Sequence, residues 1–341
     1  MSRMYTPRRP TTGDGSYEVY PADAMFPGTV WSVQPAHPLY GIAANGGSLV
    51  NGAVIKNAAH RNLARLMGMD PVAQDTLLHG TLVVGSAAAS NQIKLELTPK
   101  GGLHILMSQA NGTINTYAYF QAPQAVADYV CAAAQAYNAA ETIAKRRFAL
   151  VMWIRRTRAY RTDSGLLGNN VAHYHIAKSD FSIGHGSMLG SALTGAPIGD
   201  AGVTISNGWQ PNVVSPAGVD PVVGTQTLRV CTVNGWSSSP PAAGAAFVRA
   251  GINTRSLSSY INACASEVLY RVDLVDLYAG GLEWSYPGPA MASYASRAAG
   301  IGQYVDIERF VRDQRIAFDF AFGPDGDYYA DTVPTDPATF A

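Results

Sequence analysis

Charge is scarce in this 341-residue chain: Asp, Glu, Lys and Arg make up 14% of it, against about 25% in ordinary soluble globular domains. Interface cores are depleted in charged residues, so this deficit, beside 34 Gly, 20 Pro and 18 Tyr, fits a subunit that buries much of its outside against copies of itself. Cysteine is rare too. Cys131, Cys231 and Cys264 lie too far apart for a metal or redox spacing, which fits a reduced intracellular history. Long apolar runs are missing: the longest, "FALVMWI" at 148–154, has seven residues, whereas a membrane-crossing helix needs about 20. No membrane partner is therefore expected. The opening "MSRMYTPRRPTTGDG" is basic but is followed by no apolar segment, so it does not read as a secretory signal.

Catalytic signatures are absent as well. The chain has no G-x-x-x-x-G-K-[ST], no G-x-G-x-x-G after a strand and no H-E-x-x-H. "GHGSMLG" at 184–190 misses the serine elbow G-x-S-x-G, because Ser187 directly follows Gly186 and Gly190 comes one position late. No resident cofactor is expected.

What is present is enough apolar residue, 47%, to fill a large core. Pro7, Pro10, Pro21, Pro27, Pro35 and Pro38 remove backbone donors from residues 1–50 and predict an extended N-terminal arm, with Tyr5, Tyr17, Tyr20, Phe26, Trp31 and Tyr40 available for docking. Residues 51–341 then form a single large domain. A short helix is expected in 51–70, and "GTLVVGSA", "NQIKLELTP", "GLHILMSQ" and "GTINTYAYFQ" predict strands in antiparallel hairpins, with Asn111-Gly112 as a turn. Val126, Val130, Ala133, Tyr137, Ala140 and Ala144 recur at helical spacing after Pro123 and predict one long amphipathic helix. "FALVMWIRRTRAYR" reads as a buried strand. Residues 182–250, rich in Gly, Pro, Ser and Val, read as a loop-rich insertion with two Asn-Gly-Trp tips. Helices are expected at 254–268 and in "DIERFVRDQ", and the alternation of Ile316, Phe318, Phe320 and Phe322 predicts a half-buried strand at 315–322. The class is thus α+β: β-rich with antiparallel hairpins, one long amphipathic helix and a proline-rich arm.

Three groups of residues carry candidate chemistry. His173 and His175 share one face of a predicted strand, and His185 or Asp180 could complete a metal site; ordinary polar or interface histidines, or a pH-responsive contact, fit the same pattern. Asp325, Asp327 and Asp331 sit on a glycine-containing turn that calcium could occupy, or that solvent could simply hydrate. Lys145, Arg146, Arg147, Arg155, Arg156, Arg158 and Arg161 hold seven of the 24 bases with no acid among them, a composition suited to phosphates or to pairing with an acidic partner. The net charge of zero hides a polarity, since residues 1–161 carry 15 bases against 8 acids and residues 162–341 carry 9 against 16. Such asymmetry can orient subunits against one another.

A proline-rich arm, short strands with Asn-Gly turns, low charge, one amphipathic helix and no catalytic signature together resemble viral and phage coat proteins. Hairpins followed by a long helix are similar to the order in the tailed-phage capsid fold, while a basic arm limited to Arg3, Arg8 and Arg9 resembles shells that touch their genome lightly, as in double-stranded RNA viruses. The resemblance implies a virion subunit assembled in the host cytoplasm, whose partners are copies of itself and viral nucleic acid. Two other classes stay open: a metal-dependent enzyme on a β-rich scaffold using His173, His175 and His185, and a phage tail or fibre component.

Overall fold

The computed structural model describes residues 8–10, 17–19, 25–85, 92–109, 117–130, 132, 148–159, 172–177, 188–190, 223–233, 247–252, 265–282, 284–285, 303–304 and 307–340. In chain order these give β1 (Arg8–Pro10), β2 (Tyr17–Val19), β3 (Thr29–Val33), β4 (Val54–Ile55), α1 (His60–Met67), β5 (Gly80–Gly85), β6 (Ile93–Leu97), β7 (Leu103–Met107), β8 (Tyr117–Gln121) and α2 (124–130). There follow β9 (Phe148–Arg158), β10 (Ala172–Ala177), β11 (Met188–Gly190), β12 (Gln226–Val233), β13 (Phe247–Ile252), β14 (Ser266–Asp276), β15 (Trp284–Ser285), β16 (Gln303–Tyr304) and α3 (Ile307–Phe322).

Two antiparallel sheets dominate. The first runs β12-β9-β14-β7-β6, with β3 also paired to β14; the second runs β11-β10-β13-β8-β5-β4. Along β14, residues 267–269 pair with β7 and residues 272–275 with β3, so those two strands lie end to end on one edge. Number the eight strands β7 to β14 from one to eight, and the first pairs with the eighth, the second with the seventh, the third with the sixth and the fourth with the fifth. A long double strand with its tip at β10 and β11 has thus been rolled up so that alternate pairs fall in opposite sheets. This connectivity is the jelly-roll order, two Greek keys facing one another.

The core follows from strand alternation. Leu103, Ile105 and Met107 of β7, Leu150, Met152 and Ile154 of β9, and Leu269, Val272 and Leu274 of β14 meet Leu82, Phe120, Val248, Ala250 and Ile252 of the second sheet. The odd members of β9, Ala149, Val151 and Trp153, face the other way, onto Phe310, Phe318 and Ala321 of α3 and onto Tyr328. Covered on both faces, β9 and β14 have no side that can be polar throughout, which is why "FALVMWI" is continuously apolar. The irregular register between Leu269 and Arg271 makes Tyr270 an extra residue that keeps Val268 and Val275 on the α3 side. Gly68, in the left-handed conformation at φ 66°, closes α1 by donating to the carbonyls of Ala64 and Arg65.

The β-rich, antiparallel reading therefore holds, with differences in how the pieces connect. The four strands expected in hairpins between 80 and 121 are all present, but only β6 and β7 pair as sequence neighbours; β5 pairs with β8, and both belong to the opposite sheet. Asn111-Gly112 lies outside the described residues. Residues 29–33 of the expected arm are a buried sheet strand with Trp31 at 1% exposure, so this part is a packed element of the domain. The stretch expected as a loop-rich insertion contributes β11, β12 and the start of β13, three of the eight jelly-roll strands. Residues 124–130, directly after Pro123, are helical, and 133–144, on which the length expected of that helix depends, lie outside the described residues. The end of the helix expected at 254–268 is strand from Ser266, because the core of the first sheet needs its central member there.

The strand expected at 315–322 is the second half of α3. Phe310, Gln314, Phe318 and Ala321 recur at helical spacing and are buried, while Ile316 and Phe320 are exposed, so the period-two alternation is a by-product of the composition. Arg309–Asp313 and Arg315–Asp319 ion pairs at i,i+4 spacing add local support for helix.

Candidate functional site

The basic run is the first place where structure and spacing part company. Arg155 points from β9 toward α3, packs 5.9 Å over the Tyr270 ring and donates to the backbone carbonyl of Asp331. Arg156, on the opposite face and 1% exposed, donates to Glu267 at 2.6 Å. Arg158 donates to the carbonyls of Pro337 and Phe340, each at 2.7 Å, and to that of Met107. All three guanidinium groups are committed inside the chain, two of them to the segment after α3. Lys145, Arg146, Arg147 and Arg161 lie outside the described residues.

That C-terminal segment is clamped across the outer face of the first sheet. Asp331 accepts from the backbone N–H groups of Lys100 at 3.1 Å and Thr332 at 3.0 Å, and from the Tyr270 hydroxyl at 3.0 Å. Its carboxylate is thus an anchor for the chain, and the calcium reading of the aspartate turn loses one of its three carboxylates. Farther along, the Thr335 N–H and hydroxyl donate to Glu96 of β6 at 2.9 and 2.8 Å. Lys94 and His104 also reach Glu96, each at 2.9 Å. Partial burial would raise the Glu96 pKa, but hydrogen bonds from Lys94, His104 and Thr335 outweigh it and hold the carboxyl at about 2.

The histidines divide in two. His173 and His175 do lie on a strand, β10, where His175 is the register partner of Met188 on β11 and Arg249 on β13. The register with β11 is irregular between Ala172 and Tyr174, on either side of His173. His185 and Asp180 lie outside the described residues. Four other histidines, unremarkable in the sequence, are structural. His79 Nδ1 accepts from the Asn57 N–H at 3.0 Å, so its Nε2–H donates to Asp75 at 2.9 Å. His104 Nδ1–H donates to Glu96, leaving Nε2 to accept from the Thr157 hydroxyl at 2.9 Å. His37 Nδ1 accepts from the Leu39 and Tyr40 N–H groups, and His60 Nδ1–H donates to the Asn57 carbonyl at 3.0 Å. Tyr40, His60 and His79 meet edge to face in sequence, with ring centroids 5.4 Å apart at each step. A ring nitrogen whose lone pair already accepts a hydrogen bond cannot also ligate a metal or take a proton from a nucleophile. Among the described residues, no group of three or more His, Cys, Asp or Glu is arranged to hold a metal ion.

The chain matches no protein-family model, no curated protein and no solved structure.

Small-ligand chemistry has little room among the described residues. The space between the sheets is filled by the apolar side chains of the core. An open pocket beside β3 and β4, touching Gln34, Tyr40, Asn45 and Lys56, holds about 10 Å³, far below the roughly 300–1,000 Å³ of typical ligand sites. No described helix is long and apolar enough to cross a membrane.

The outside is more informative. Leu39, Val50, Val54, Val72 and Leu77 are half-exposed or more around the short edge strand β4 and the segments flanking α1, with Val72 at 85%. A second apolar group, Ile316, Phe320 and Tyr329, lies on the outer side of α3 and in the turn after it. Neither group was visible as a pattern in the sequence, since the first is dispersed over 39 residues and the second was assigned to a strand. Concentrations of exposed apolar side chains on a charge-poor chain offer surfaces for protein.

Proposed function

We propose that the chain is the structural subunit of a viral capsid, self-assembling into a shell around a nucleic-acid genome. The observation that carries this reading is the pairing of strands one with eight, two with seven, three with six and four with five in β7 to β14. Viral coats use this roll, and so do lectins and cupins. Two further features favour the coat among these. A cupin or lectin keeps a polar ligand site in or on its roll, whereas the described interior here is filled with aliphatic and aromatic side chains. The exposed apolar side chains around β4 and on α3 belong to a chain poor in charge, as repeated subunit contacts require. The partners are then copies of the chain and viral nucleic acid, with Lys145, Arg146, Arg147 and Arg161 the remaining candidates of the basic run for phosphate contact.

Expression followed by sizing, negative-stain imaging and metal analysis tests the reading. Megadalton closed particles without stoichiometric metal are the expected result. A small species carrying one metal per chain would sink it in favour of an enzyme using His173, His175 and His185, and open tubes or trimers would sink it in favour of a tail or fibre component.

A further inference from the structure

From Asp331 to Phe340 the chain lies on the outer face of the first sheet, held chiefly by directed polar bonds. The Asp331 carboxylate accepts from Lys100 and Tyr270, and its backbone carbonyl accepts from Arg155. Thr335 donates twice to Glu96, and Arg158 donates to the carbonyls of Pro337 and Phe340. Of this segment only Asp331 and Pro337 are buried, and Val333 adds one half-buried apolar contact. All these polar partners lie between Glu96 and Tyr270, so the groove is complete without the segment it holds.

The way into the groove is strained. Asp331 N–H donates to the Tyr328 carbonyl at 3.2 Å, closing a turn whose third residue is Ala330 at φ 51°. Positive φ at that position calls for Gly or Asn. Ala330 is the only residue other than glycine with positive φ among the described residues. Tyr329 and Ala330 are both exposed, so neither side chain is buried to hold the turn. Tyr328, immediately before them, is fixed at 3% exposure against the rings of Tyr270 and Phe322.

We propose that residues 331–340 are an exchangeable strap, which leaves its own groove by opening the turn at 329–330 and docks in the groove of a second copy of this chain. Every bond from strap to groove is then re-formed with the same partners, and the strain at Ala330 is released. The remaining cost is that of association. From Tyr328 to Phe340 an extended strap spans about 40 Å at roughly 3.3–3.6 Å per residue, a reach sufficient for a touching neighbour. Reciprocal exchange closes a two-fold pair, whereas one-way exchange passes to a third copy and builds rings or a shell.

Hydrogen exchange read by mass spectrometry on full-length chains tests this. One variant, Glu96→Ala with Arg158→Ala, keeps the strap and spoils the groove; the other, Asp331→Ala, keeps the groove and spoils the strap. Alone, each should exchange quickly at 332–340. Mixed, the first variant's strap, identified by the mass of its Asp331, should regain about tenfold protection on the intact grooves of the second. Exchange as fast in the mixture as alone would overturn the proposal.

If melting shows that the groove variant does not fold, the exposed hinge supplies a second test. Ala330→Gly removes the strain and should lower self-association in sedimentation about fivefold. Ala330→Pro, with φ fixed at about −65°, breaks the turn and should raise it. Equal association of the parent and both variants would overturn the exchange. The strap deepens the shell reading by naming one of its contacts, and the two fail separately. Exchanged pairs that never build particles overturn the shell alone, whereas particles whose association ignores both hinge variants overturn the exchange alone.

Discussion

Arg156 of β9 and Glu267 of β14 are register partners joined by a 2.6 Å ion pair, and both are buried, at 1% and 0% exposure. Desolvating the two charges offsets much of their attraction, so the pair contributes little net stability while intact. Removing one charge strands the other. Glu267→Gln is expected to destabilise the chain by about 3–5 kcal/mol in denaturant titration, whereas Arg156→Met with Glu267→Leu should be near neutral. Equal losses in both variants would refute this account.

Asp331 ties the C-terminal segment to the sheet through Lys100, Thr332 and Tyr270. Asp331→Ala leaves a buried hydroxyl without this acceptor and should cost about 1–3 kcal/mol. The loss should be local before it is global. Hydrogen exchange at 332–340 is expected to speed up well ahead of exchange in β9 and β14, and a uniform increase would argue against an independently detachable segment.

Stability should fall in two steps on acidification. Burial lowers the pKa of His104, His60 and His79 below 6.5 in the folded chain, so below pH 6.5 the unfolded state binds protons that the folded state refuses, and stability declines as pH drops. Glu96, held at about 2 against 4.5, contributes stability that is present above pH 4.5 and is lost between 4.5 and 2. Denaturation midpoints at pH 7.5, 5.5, 4 and 3 measure both steps. His104→Asn should flatten the upper one, and a midpoint constant from 7.5 to 5.5 would contradict the first assignment.

Gly28 sits where the chain enters β3, its carbonyl accepting from the Asp276 N–H at 2.8 Å. A Cβ there would come within 1.9 Å of the Asp276 carbonyl oxygen and 2.7 Å of the Gly280 nitrogen, both backbone atoms that cannot rotate aside. Gly28→Ala should therefore cost about 2 kcal/mol or more and separate the start of β3 from β14. A variant melting within a degree of the parent would disprove the close approach.

Phe318 is the α3 residue whose ring meets Trp153 edge to face at 5.8 Å and Phe322 at 4.7 Å. Phe318→Ala opens a cavity between helix and sheet, with an expected loss of about 3–5 kcal/mol by calorimetry or denaturant. A loss under about 1 kcal/mol would mean that α3 lies loosely on the sheet.

Strand content was legible wherever burial imposed a pattern. β9 could be read from its unbroken apolar run, since both its faces are covered, and β5 to β8 from short β-branched segments between glycines and asparagines. Pairing was not legible, because in a rolled sheet sequence neighbours such as β7 and β8 enter opposite layers. α3 was half missed because its phenylalanines satisfy both periods at once. Arg155, Arg156 and Arg158 looked like one cationic surface because their partners, Asp331, Glu267 and Pro337, lie 176, 111 and 179 residues away.

The amino-acid sequence by itself determined that this chain is β-rich, charge-poor and built around a large apolar core, since hydropathy and local spacing decide which short segments can be strands. Only the tertiary structure decided which strands meet, which arginines are consumed within the chain, and which apolar side chains of α3 are left facing outward. Those outcomes depend on contacts between residues a hundred or more positions apart, and burial there is a property of the folded neighbourhood that local spacing does not encode.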